Sequence, residues 1–520
     1  MSRYAEALLN PSAFAITWEL VPGRGAIEKA QEAVLITAEQ AARTGKVHAL
    51  TITDNPGGTP ALSAAMLASD VAKLGVEPLI HVTCKDKNRN ELESLLYGLE
   101  RASVRNLLVM TGDYPKDGLL GAPKPVFDLD PVTLLWLIGR LNEGAEIPTL
   151  KGSTKLTPTS FFAGVAASPF KVREAEQMGQ YYKLAKKVRA GAKFIVSQIG
   201  FDARKFHELL LVTKKLGSGQ VPVVGNIYML PLGAARLMNR NGLPGCIVSN
   251  KLLAEIEQEA TGPDKGKQKR IERAAKMFAV LKGMGYDGAH ISGFAMTCDD
   301  LEQIIGRGEE LAGNWQDLVR EFEYPSEDGW YYFEKDHTTG LNSDLPAQRG
   351  PRKKVTVGYR AFRALHELMF EKSGPLFGPM QRLSQAVDGS RLEGAFTTFE
   401  QVIKGFANEC LHCGDCAMLD TGYLCPQSQC PKNQRNGPCG GSFNGYCEKF
   451  PGERECVWIR TYERLKSESK EDLIGDFQVP PINYELANKS SWINFYLGRD
   501  HSAERIGIAK VPPKKKSGPA

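Results

Sequence analysis

The sequence contains no long hydrophobic run, since no window approaches the about 18 uninterrupted apolar residues typical of a membrane-spanning helix. The first ten residues, MSRYAEALLN, lack the apolar core of a secretory signal, so we expect a cytoplasmic protein in a reducing compartment. The net charge of +5 is small for 520 residues, and Lys514, Lys515 and Lys516 supply three positive charges near the end. This balance gives no basis for nucleic-acid binding.

Two common nucleotide-binding motifs are also missing. No Gly-x-Gly-x-x-Gly follows a predicted strand, and no P-loop occurs. An internal repeat is absent as well. The apolar content of 42% and charged content of 24% are those of a globular protein, and the length predicts two domains and a tail.

What the chain has in abundance is clustered cysteine, because eight of its eleven cysteines fall between residues 410 and 456. They form a Cys-x2-Cys-x2-Cys run, two Cys-Pro dipeptides and three further cysteines near glycines: Cys410, Cys413, Cys416, Cys425, Cys430, Cys439, Cys447 and Cys456. Eight thiols can close two four-cysteine sites, for which zinc, iron–sulfur and disulfide chemistry compete. The expected reducing compartment favours metal over disulfides.

Between the metals, the spacing favours iron–sulfur chemistry. Zinc usually draws on paired Cys-x2-Cys knuckles, whereas a three-cysteine run with Cys-Pro dipeptides following is closer to the ferredoxin pattern. The match is not strict, since Cys425 comes nine residues after Cys416. We therefore predict two [4Fe-4S] clusters, with a structural zinc site as the alternative.

Residues 13 to about 310 alternate short apolar runs with longer helical segments. The short runs predict strands buried on both faces, at Ala13–Leu20, Val47–Thr53, Glu77–Thr83, Arg105–Gly112, Phe161–Ala167, Lys193–Ile199, Pro222–Tyr228 and Tyr286–Ser292. The segments between them predict helices at Ile27–Thr44, Ala61–Leu74, Asn90–Ala102, Val132–Leu141, Arg173–Ala190, Ala203–Leu216 and Lys267–Met284. This alternation predicts an α/β fold, a (β/α)8 TIM barrel, with a doubly wound sheet as the alternative.

Polar side chains stand where these strands end, which is the working face of such a barrel. They are Glu19, Thr53, Asp54, Asn55, His81, Thr83, Thr111, Asp113, Ser168, Gln198, Asn226, Tyr228, His290 and Ser292. Each alone has a structural explanation, but their convergence on one rim predicts a binding site. The carboxyl groups of Glu19 and Asp113 supply a candidate acid and an electrostatic partner.

Five blocks of the sequence resemble those of methylenetetrahydrofolate reductases, in the same order. They are Phe14–Pro22 (FAITWELVP), the strand ending at Thr53, Ile80–Cys84 (IHVTC), Val109–Pro115 (VMTGDYP) and Ala190–Gln198 (AGAKFIVSQ). The resemblance covers residues 13 to about 300. It implies a flavin-bearing barrel that reduces 5,10-methylenetetrahydrofolate to 5-methyltetrahydrofolate, or catalyses the reverse oxidation.

The resemblance also implies roles for single residues. Glu19 matches the general acid, Asp113 the carboxylate near flavin and pterin, and Gln198 a folate contact. The positions that match flavin contacts are Thr53, His81, Thr111, Gly112, Asp113 and Lys187. A carboxyl group with a raised pKa suits the reaction, since it can protonate the bridging ring nitrogen and open the ring to an iminium cation that accepts hydride.

Several positions depart from the family pattern. Thr111, Ser168 and Gln180 stand where familiar members have an arginine, a tyrosine and an acidic residue in contact with FAD. FMN and FAD are therefore equally compatible as the flavin. Leu232 aligns with an aromatic residue associated with nicotinamide stacking, which leaves the electron donor open among NAD(P)H, ferredoxin and a partner redox subunit.

The alternation stops past Gly313, and the remaining chain resembles the cysteine-rich partner domain of anaerobic-type methylenetetrahydrofolate reductases, here fused. The resemblance rests on the segments Asn436–Gly441 and Cys456–Trp458. We predict a barrel over residues 1–312, a cysteine-rich domain over 313–507 and a disordered basic tail over 508–520. The alternative function is a folate- or corrinoid-linked methyl-transfer or binding barrel with structural zinc, and a homo-oligomer is left open.

Overall fold

The computed structural model describes residues 1–116, 118–217 and 221–513. They form two compact units, Met1–Gly350 with Cys439–Asn444 and Pro351–Pro438 with the residues from Gly445 onward. Residues 514–520 of the predicted basic tail lie outside the described residues.

Eight parallel strands close into a barrel in the first unit, which confirms the predicted fold. Each strand pairs with its sequence neighbours, and the eighth pairs with the first; they span Ala15–Leu20, Ala49–Ile52, Pro78–Thr83, Asn106–Met110, Phe162–Ala167, Ile195–Ser197, Val223–Tyr228 and Gly288–Ser292. Nearly every strand residue is buried, as expected for a sheet covered by helices on the outside and filled by side chains within.

The predicted helices between the strands are confirmed to within about three residues at their ends. The helices of the barrel unit span Arg3–Leu9, Lys29–Thr44, Ala64–Lys73, Arg89–Arg101, Pro131–Asn142, Glu174–Arg189, Ala203–Lys215, Leu232–Asn239, Asn250–Glu259, Lys267–Met284, Cys298–Leu311 and Trp315–Leu318. Short 3-10 turns occur at Pro56–Gly58, Ala312–Asn314 and Val319–Phe322. Among the described residues, no helix combines the length and apolarity that crossing a bilayer requires.

The helix Arg3–Leu9 closes the amino end of the barrel. Tyr4 and Leu8 are buried in one cluster with side chains from the strands, among them Leu79 and Phe194. The Glu77 carboxylate accepts hydrogen bonds from the backbone at the start of this helix, including one of 2.9 Å from the Tyr4 N–H. The side chains at the ends of the strands therefore lie at the opposite, carboxyl end of the barrel.

Residues 313–350 group with the barrel by contact. The Lys205 amine donates to the Trp330 carbonyl at 2.7 Å, and the Tyr332 N–H donates to the Glu208 carboxylate at 2.6 Å. Both side chains come from the helix Ala203–Lys215, so buried polar groups on the barrel hold this segment. The unit also contains two hairpins, Glu146–Thr149 with Gly152–Lys155 and Phe333–Lys335 with Asn342–Pro346.

The second unit is a set of helices with long connections. Its helices span Val357–Met369, Phe377–Val387, Glu393–Asn408, Pro426–Gln429, Val457–Lys466, Leu473–Asp476, Ser491–Tyr496 and His501–Arg505, with 3-10 turns at Met418–Thr421 and Tyr484–Leu486 and a hairpin of Tyr446–Cys447 with Phe450–Glu455. An aromatic cluster forms its core, where Phe370, Phe377, Phe495 and Tyr496 pack with ring centroids 5.3 to 6.4 Å apart.

Candidate active site

Glu19 lies near the end of the first barrel strand, with one-fifth of its side chain exposed. Its nearest ionisable partner is His290 on the adjacent eighth strand, whose Nε2 lies 3.6 Å from Glu19 Oε2. The other ring nitrogen of His290 is 2.9 Å from the Thr17 hydroxyl, which fixes the ring between the two strands. The parallel register places Thr17 opposite His290, so neighbouring positions of two strands build this pair.

The surroundings of Glu19 act on its pKa in opposite directions. Burial raises the pKa, but the close approach and the charge of the His290 imidazole outweigh burial and hold the pKa below its ordinary value. The raised pKa that suits a general acid is therefore not what this arrangement gives. The histidine neighbours, which come from other strands, are the physical reason.

His81 projects from the third strand and is almost fully buried. Burial lowers its pKa to about 4, so the imidazole is neutral near pH 7. Its Nε2 atom is buried and has no hydrogen-bond partner within the described residues. A neutral ring with an unused nitrogen can donate to or accept from a bound molecule.

Asp113 follows the fourth strand in a half-buried loop. Its carboxylate accepts a 2.8 Å hydrogen bond from the Gly57 N–H, which ties together the loops after the second and fourth strands. Next to it, a Cβ atom at Gly112 would lie 2.9 Å from carbon atoms of both Thr83 and Lys85, so no larger residue fits there without a shift. Thr111, which begins this loop, is buried.

The buried thiol of Cys246 feels the charges of both carboxylates, although no sequence motif marks this residue. Burial raises the pKa of its thiol to about 12, and the charges of Asp113, Lys171 and Glu19 all act on it. Glu19 and Asp113 therefore lie within electrostatic reach of one buried side chain. No motif marks Cys246 or Lys171, because both come from connections rather than from strand ends.

Unpartnered polar atoms around the rim show that the site fits a bound polar molecule. The hydroxyls of Thr53 and Ser168, Nε2 of His81 and Nε2 of Gln180 are buried without a hydrogen-bond partner in the described part of the chain. Buried polar groups are nearly always satisfied in folded proteins, so four orphans at one rim call for a ligand. A flavin carries donors and acceptors along its length and meets this requirement.

Lys187 adds a buried cation on the helix Glu174–Arg189. Its amine donates a 2.6 Å hydrogen bond to the Ala166 carbonyl at the end of the fifth strand. Burial, followed by the charge of Lys183, lowers the pKa of Lys187 to about 7. An anionic group nearby would offset both effects, as the phosphate of a flavin nucleotide does.

Gln198 follows the sixth strand directly, as predicted. Its side-chain oxygen accepts a 2.9 Å hydrogen bond from the N–H of Ile199, and the amide NH2 group takes no part in this bond. That NH2 nitrogen lies 3.4 Å from the position that a Cβ atom at Gly245 would take. The residue thus stands at the carboxyl-end rim.

Four of the eight clustered cysteines come together in the second unit. Cys410, Cys413, Cys416 and Cys425 line one cavity, beside Lys404 and Ser491. All eleven cysteines are free thiols. Across residues 1–116, 118–217 and 221–513, no group of three or more His, Cys, Asp or Glu side chains is arranged to hold a single metal ion.

Cations lie beside these thiols. Burial raises the pKa of Cys416 to about 12 and raises that of Cys410, while the charge of Lys404 lowers both. Burial likewise raises the pKa of Cys413, which the charge of Arg435 lowers. Four cysteines in one cavity, with Lys404 beside them, are a donor set that fits an iron–sulfur cluster.

The other four cysteines divide between the units. Cys430, Cys447 and Cys456 belong to the second unit, and the Cys456 N–H donates to the Gly445 carbonyl at 2.9 Å across the base of the hairpin. Cys439 belongs to the barrel unit. A second four-cysteine site stays a prediction.

The TIM barrel carries two carboxylates, two histidines and unsatisfied polar atoms at its carboxyl-end rim. This arrangement is typical of enzymes with this fold. Residues 5–304 match the family described as methylenetetrahydrofolate reductase, and residues 390–485 match one described as methylene-tetrahydrofolate reductase C terminal. The chain belongs to the methylenetetrahydrofolate reductase family and carries that family's C-terminal domain. Membership indicates an oxidoreductase.

Solved structures with similar folds are distant. One is an uncharacterized protein from Clostridium thermocellum that binds two copies of 5-methyl-5,6,7,8-tetrahydrofolic acid, with 13% identity, a TM-score of 0.41 and coverage of 59% of this chain and 98% of that one. Another is tryptophan synthase from M. tuberculosis, with 13% identity, a TM-score of 0.32 and coverage of 62% and 100%. Likeness at this level carries no functional argument.

Proposed function

We propose that the barrel catalyses the flavin-dependent reduction of 5,10-methylenetetrahydrofolate to 5-methyltetrahydrofolate, or the reverse oxidation. The observation that carries this proposal is the group of buried polar atoms without partners at the strand ends, those of Thr53 and His81 among them, together with the pair of Glu19 and His290, 3.6 Å apart on neighbouring strands. Family membership over residues 5–304 supports the same reaction.

In this proposal Glu19 is the proton donor. Protonated Glu19 gives its proton to the bridging nitrogen of the folate's five-membered ring, the C–N bond to that nitrogen breaks, and an iminium cation forms. The lowered pKa means that Glu19 is mostly ionised in the ligand-free protein at neutral pH. His290, 3.6 Å away, is the neighbour through which a proton can return to Glu19.

Asp113 has the electrostatic role. Its carboxylate, held by the Gly57 N–H, can stabilise the developing iminium cation. Gln198 would contact the pterin with the amide NH2 that Ile199 leaves unused.

Thr53, His81, Thr111, Gly112, Asp113 and Lys187 are the residues that would hold the flavin, FMN or FAD. When bound, the flavin supplies hydride chemistry that no side chain of this protein can provide. The Lys187 amine, which a nearby anion would keep protonated, suits the phosphate end, and the neutral imidazole of His81 suits a hydrogen bond to the polar part of the ring.

An iron–sulfur cluster held by the cysteines of this cavity would bring electrons to the protein one at a time. Four thiols share that cavity, a donor set that supports a cluster, with structural zinc as the alternative. NAD(P)H, ferredoxin and a partner redox subunit are the candidate donors.

Anaerobic purification tests the proposal directly. We expect a flavin spectrum with a broad brown shoulder, stoichiometric flavin and iron, and oxidation of 5-methyltetrahydrofolate with an artificial acceptor. A colourless protein with stoichiometric zinc and no flavin would instead favour the methyl-transfer or binding alternative.

A further inference from the structure

A six-residue loop, Cys439–Asn444, belongs to the barrel unit although the chain on both sides of it belongs to the second unit. It carries one of the clustered cysteines and the pair Gly440-Gly441. The Gly441 N–H faces the Cys439 sulfur at 3.4 Å, so the loop is tightly turned at its start. Neither the family match nor the cysteine pattern gives these residues a role in the barrel.

Lys171 anchors the loop. Its side chain is 2% exposed, and its amine donates a 2.6 Å hydrogen bond to the backbone carbonyl of Ser442, which is itself buried. A buried ammonium group is costly unless it is hydrogen-bonded, so the loop and Lys171 depend on each other. Lys171 follows the fifth barrel strand, at the carboxyl end of the barrel.

The loop reaches the predicted folate contact through Gly245. A Cβ atom at Gly245 would lie 3.1 Å from the carbonyl oxygen of Gly440 and 3.4 Å from Nε2 of Gln198. One position of the barrel rim is therefore bounded by the loop on one side and by Gln198 on another. Gly245 has φ = +84°, a conformation that glycine adopts without strain.

Gln180 meets the loop on another side. A Cβ atom at Gly440 would lie 3.5 Å from Oε1 and 3.9 Å from Nε2 of Gln180, whose Nε2 is one of the buried orphan atoms. The loop backbone thus passes beside two glutamine side chains of the rim. Gly440, with φ = +94°, allows this close path.

We propose that Cys439–Asn444 is a wall of the folate-binding site, that Lys171 positions it, and that the loop holds the Gln198 amide where folate binds. The inference rests on the proposed function and deepens it. A segment from the cysteine-rich part of the sequence thereby becomes part of the barrel's substrate site. Lys171 acts as a positioning residue, through the Ser442 carbonyl.

Equilibrium binding of 5-methyltetrahydrofolate to the full-length protein, measured by titration calorimetry, tests this. Lys171→Met removes the donor at nearly constant volume, and Gly245→Ala inserts a methyl group against Gly440 and Gln198. The matched control is Gly75→Ala, because Gly75 has φ = +82° and nothing within 4 Å of its Cβ position. It therefore reproduces the backbone strain of Gly245→Ala without the contact.

We expect Kd to rise roughly tenfold or more in both site variants, as losing a charged hydrogen bond implies, and to stay within about twofold in the control. Flavin content and the thermal midpoint of Gly245→Ala should match those of Gly75→Ala, which a general loss of structure would not give. Unchanged Kd in Gly245→Ala, with the unmodified protein binding folate, overturns the inference alone, even where Lys171→Met is too unstable to study. An unmodified protein that binds no folate overturns the proposed function as well.

Discussion

The pair of Glu19 and His290 decides how the proposed proton transfer depends on pH. Burial raises the pKa of Glu19, and the histidines lower it by more. The proposed proton donor is thus tuned by neighbours on other strands rather than by its own local sequence. Two experiments separate its roles.

Glu19→Gln removes the titratable proton while keeping the size and the hydrogen-bonding ability of the side chain. Turnover with folate should fall on the order of 10²–10⁴-fold, as for loss of a general acid. Flavin content and flavin reduction by an artificial donor should be nearly unchanged. Folate turnover within about threefold of the parent would show that another group supplies the proton.

His290→Ala should raise the pKa of Glu19, because it removes the nearby imidazole whose contact and charge oppose burial. Since the acid must be protonated to act, the decline of kcat/KM with rising pH should move to higher pH in this variant. The measurement is a pH profile of folate turnover, with Glu19→Gln as the control that lacks this decline. If kcat/KM declined at the same pH in His290→Ala and in the parent protein, His290 would not be the residue that sets this pKa.

At the scale of single elements, the barrel strands were predictable because each is a short apolar run buried on both faces. The rim residues followed from the strand ends. The helices Leu232–Asn239, Asn250–Glu259 and Cys298–Leu311 were not predicted, because they lie beyond the regular strand–helix alternation or lengthen a connection. Sequence periodicity reports which face is buried, and carries no information on the path of a connection.

The same limit applies to the site. Glu19 and His81 were proposed from their places near the ends of strands and Asp113 from its place after one, whereas Cys246 and Lys171 were not proposed because loops carry them. The lowered pKa of Glu19 could not be predicted from the sequence, since the charge environment depends on which strands are neighbours in space. These contacts require the closed barrel.

The cavity lined by Cys410, Cys413, Cys416 and Cys425 gives the prediction at the scale of single elements. Cys413→Ser removes one of the four thiols that line the cavity. Iron content should fall, and reduction by ferredoxin or a partner dehydrogenase should be lost, while turnover with a small dye that reduces flavin directly persists. Iron analysis and the two assays are compared with Cys298→Ser, a buried cysteine of the barrel unit.

Equal loss of both activities in Cys413→Ser would indicate a structural metal whose removal loosens the fold. Anaerobic protein with stoichiometric zinc and no iron would end the electron-relay proposal. The control variant should retain its iron.

At the scale of the whole molecule, the barrel unit is incomplete without residues from far along the chain. A fragment of residues 1–350 leaves the buried Lys171 amine without the Ser442 carbonyl. The loss should destabilise the barrel by roughly 1–3 kcal/mol. Thermal unfolding of the fragment and of the full chain measures this.

Lys171→Met should lower the unfolding midpoint of the barrel in the full chain, where it breaks a buried hydrogen bond, and should change it less in the fragment, which lacks the Ser442 acceptor. An equal change in both proteins would show that Ser442 is not the group that matters to Lys171.

The interleaving of the two units also sets an order of events during synthesis. Asn444 lies 94 residues beyond Gly350 in the chain. At about 5–20 residues per second, the ribosome needs roughly 5 to 20 seconds to produce the loop after the rest of the barrel has emerged. Until then Lys171 stays without its carbonyl acceptor, so the nascent barrel reaches its final contacts only when most of the cysteine-rich segment has also been made.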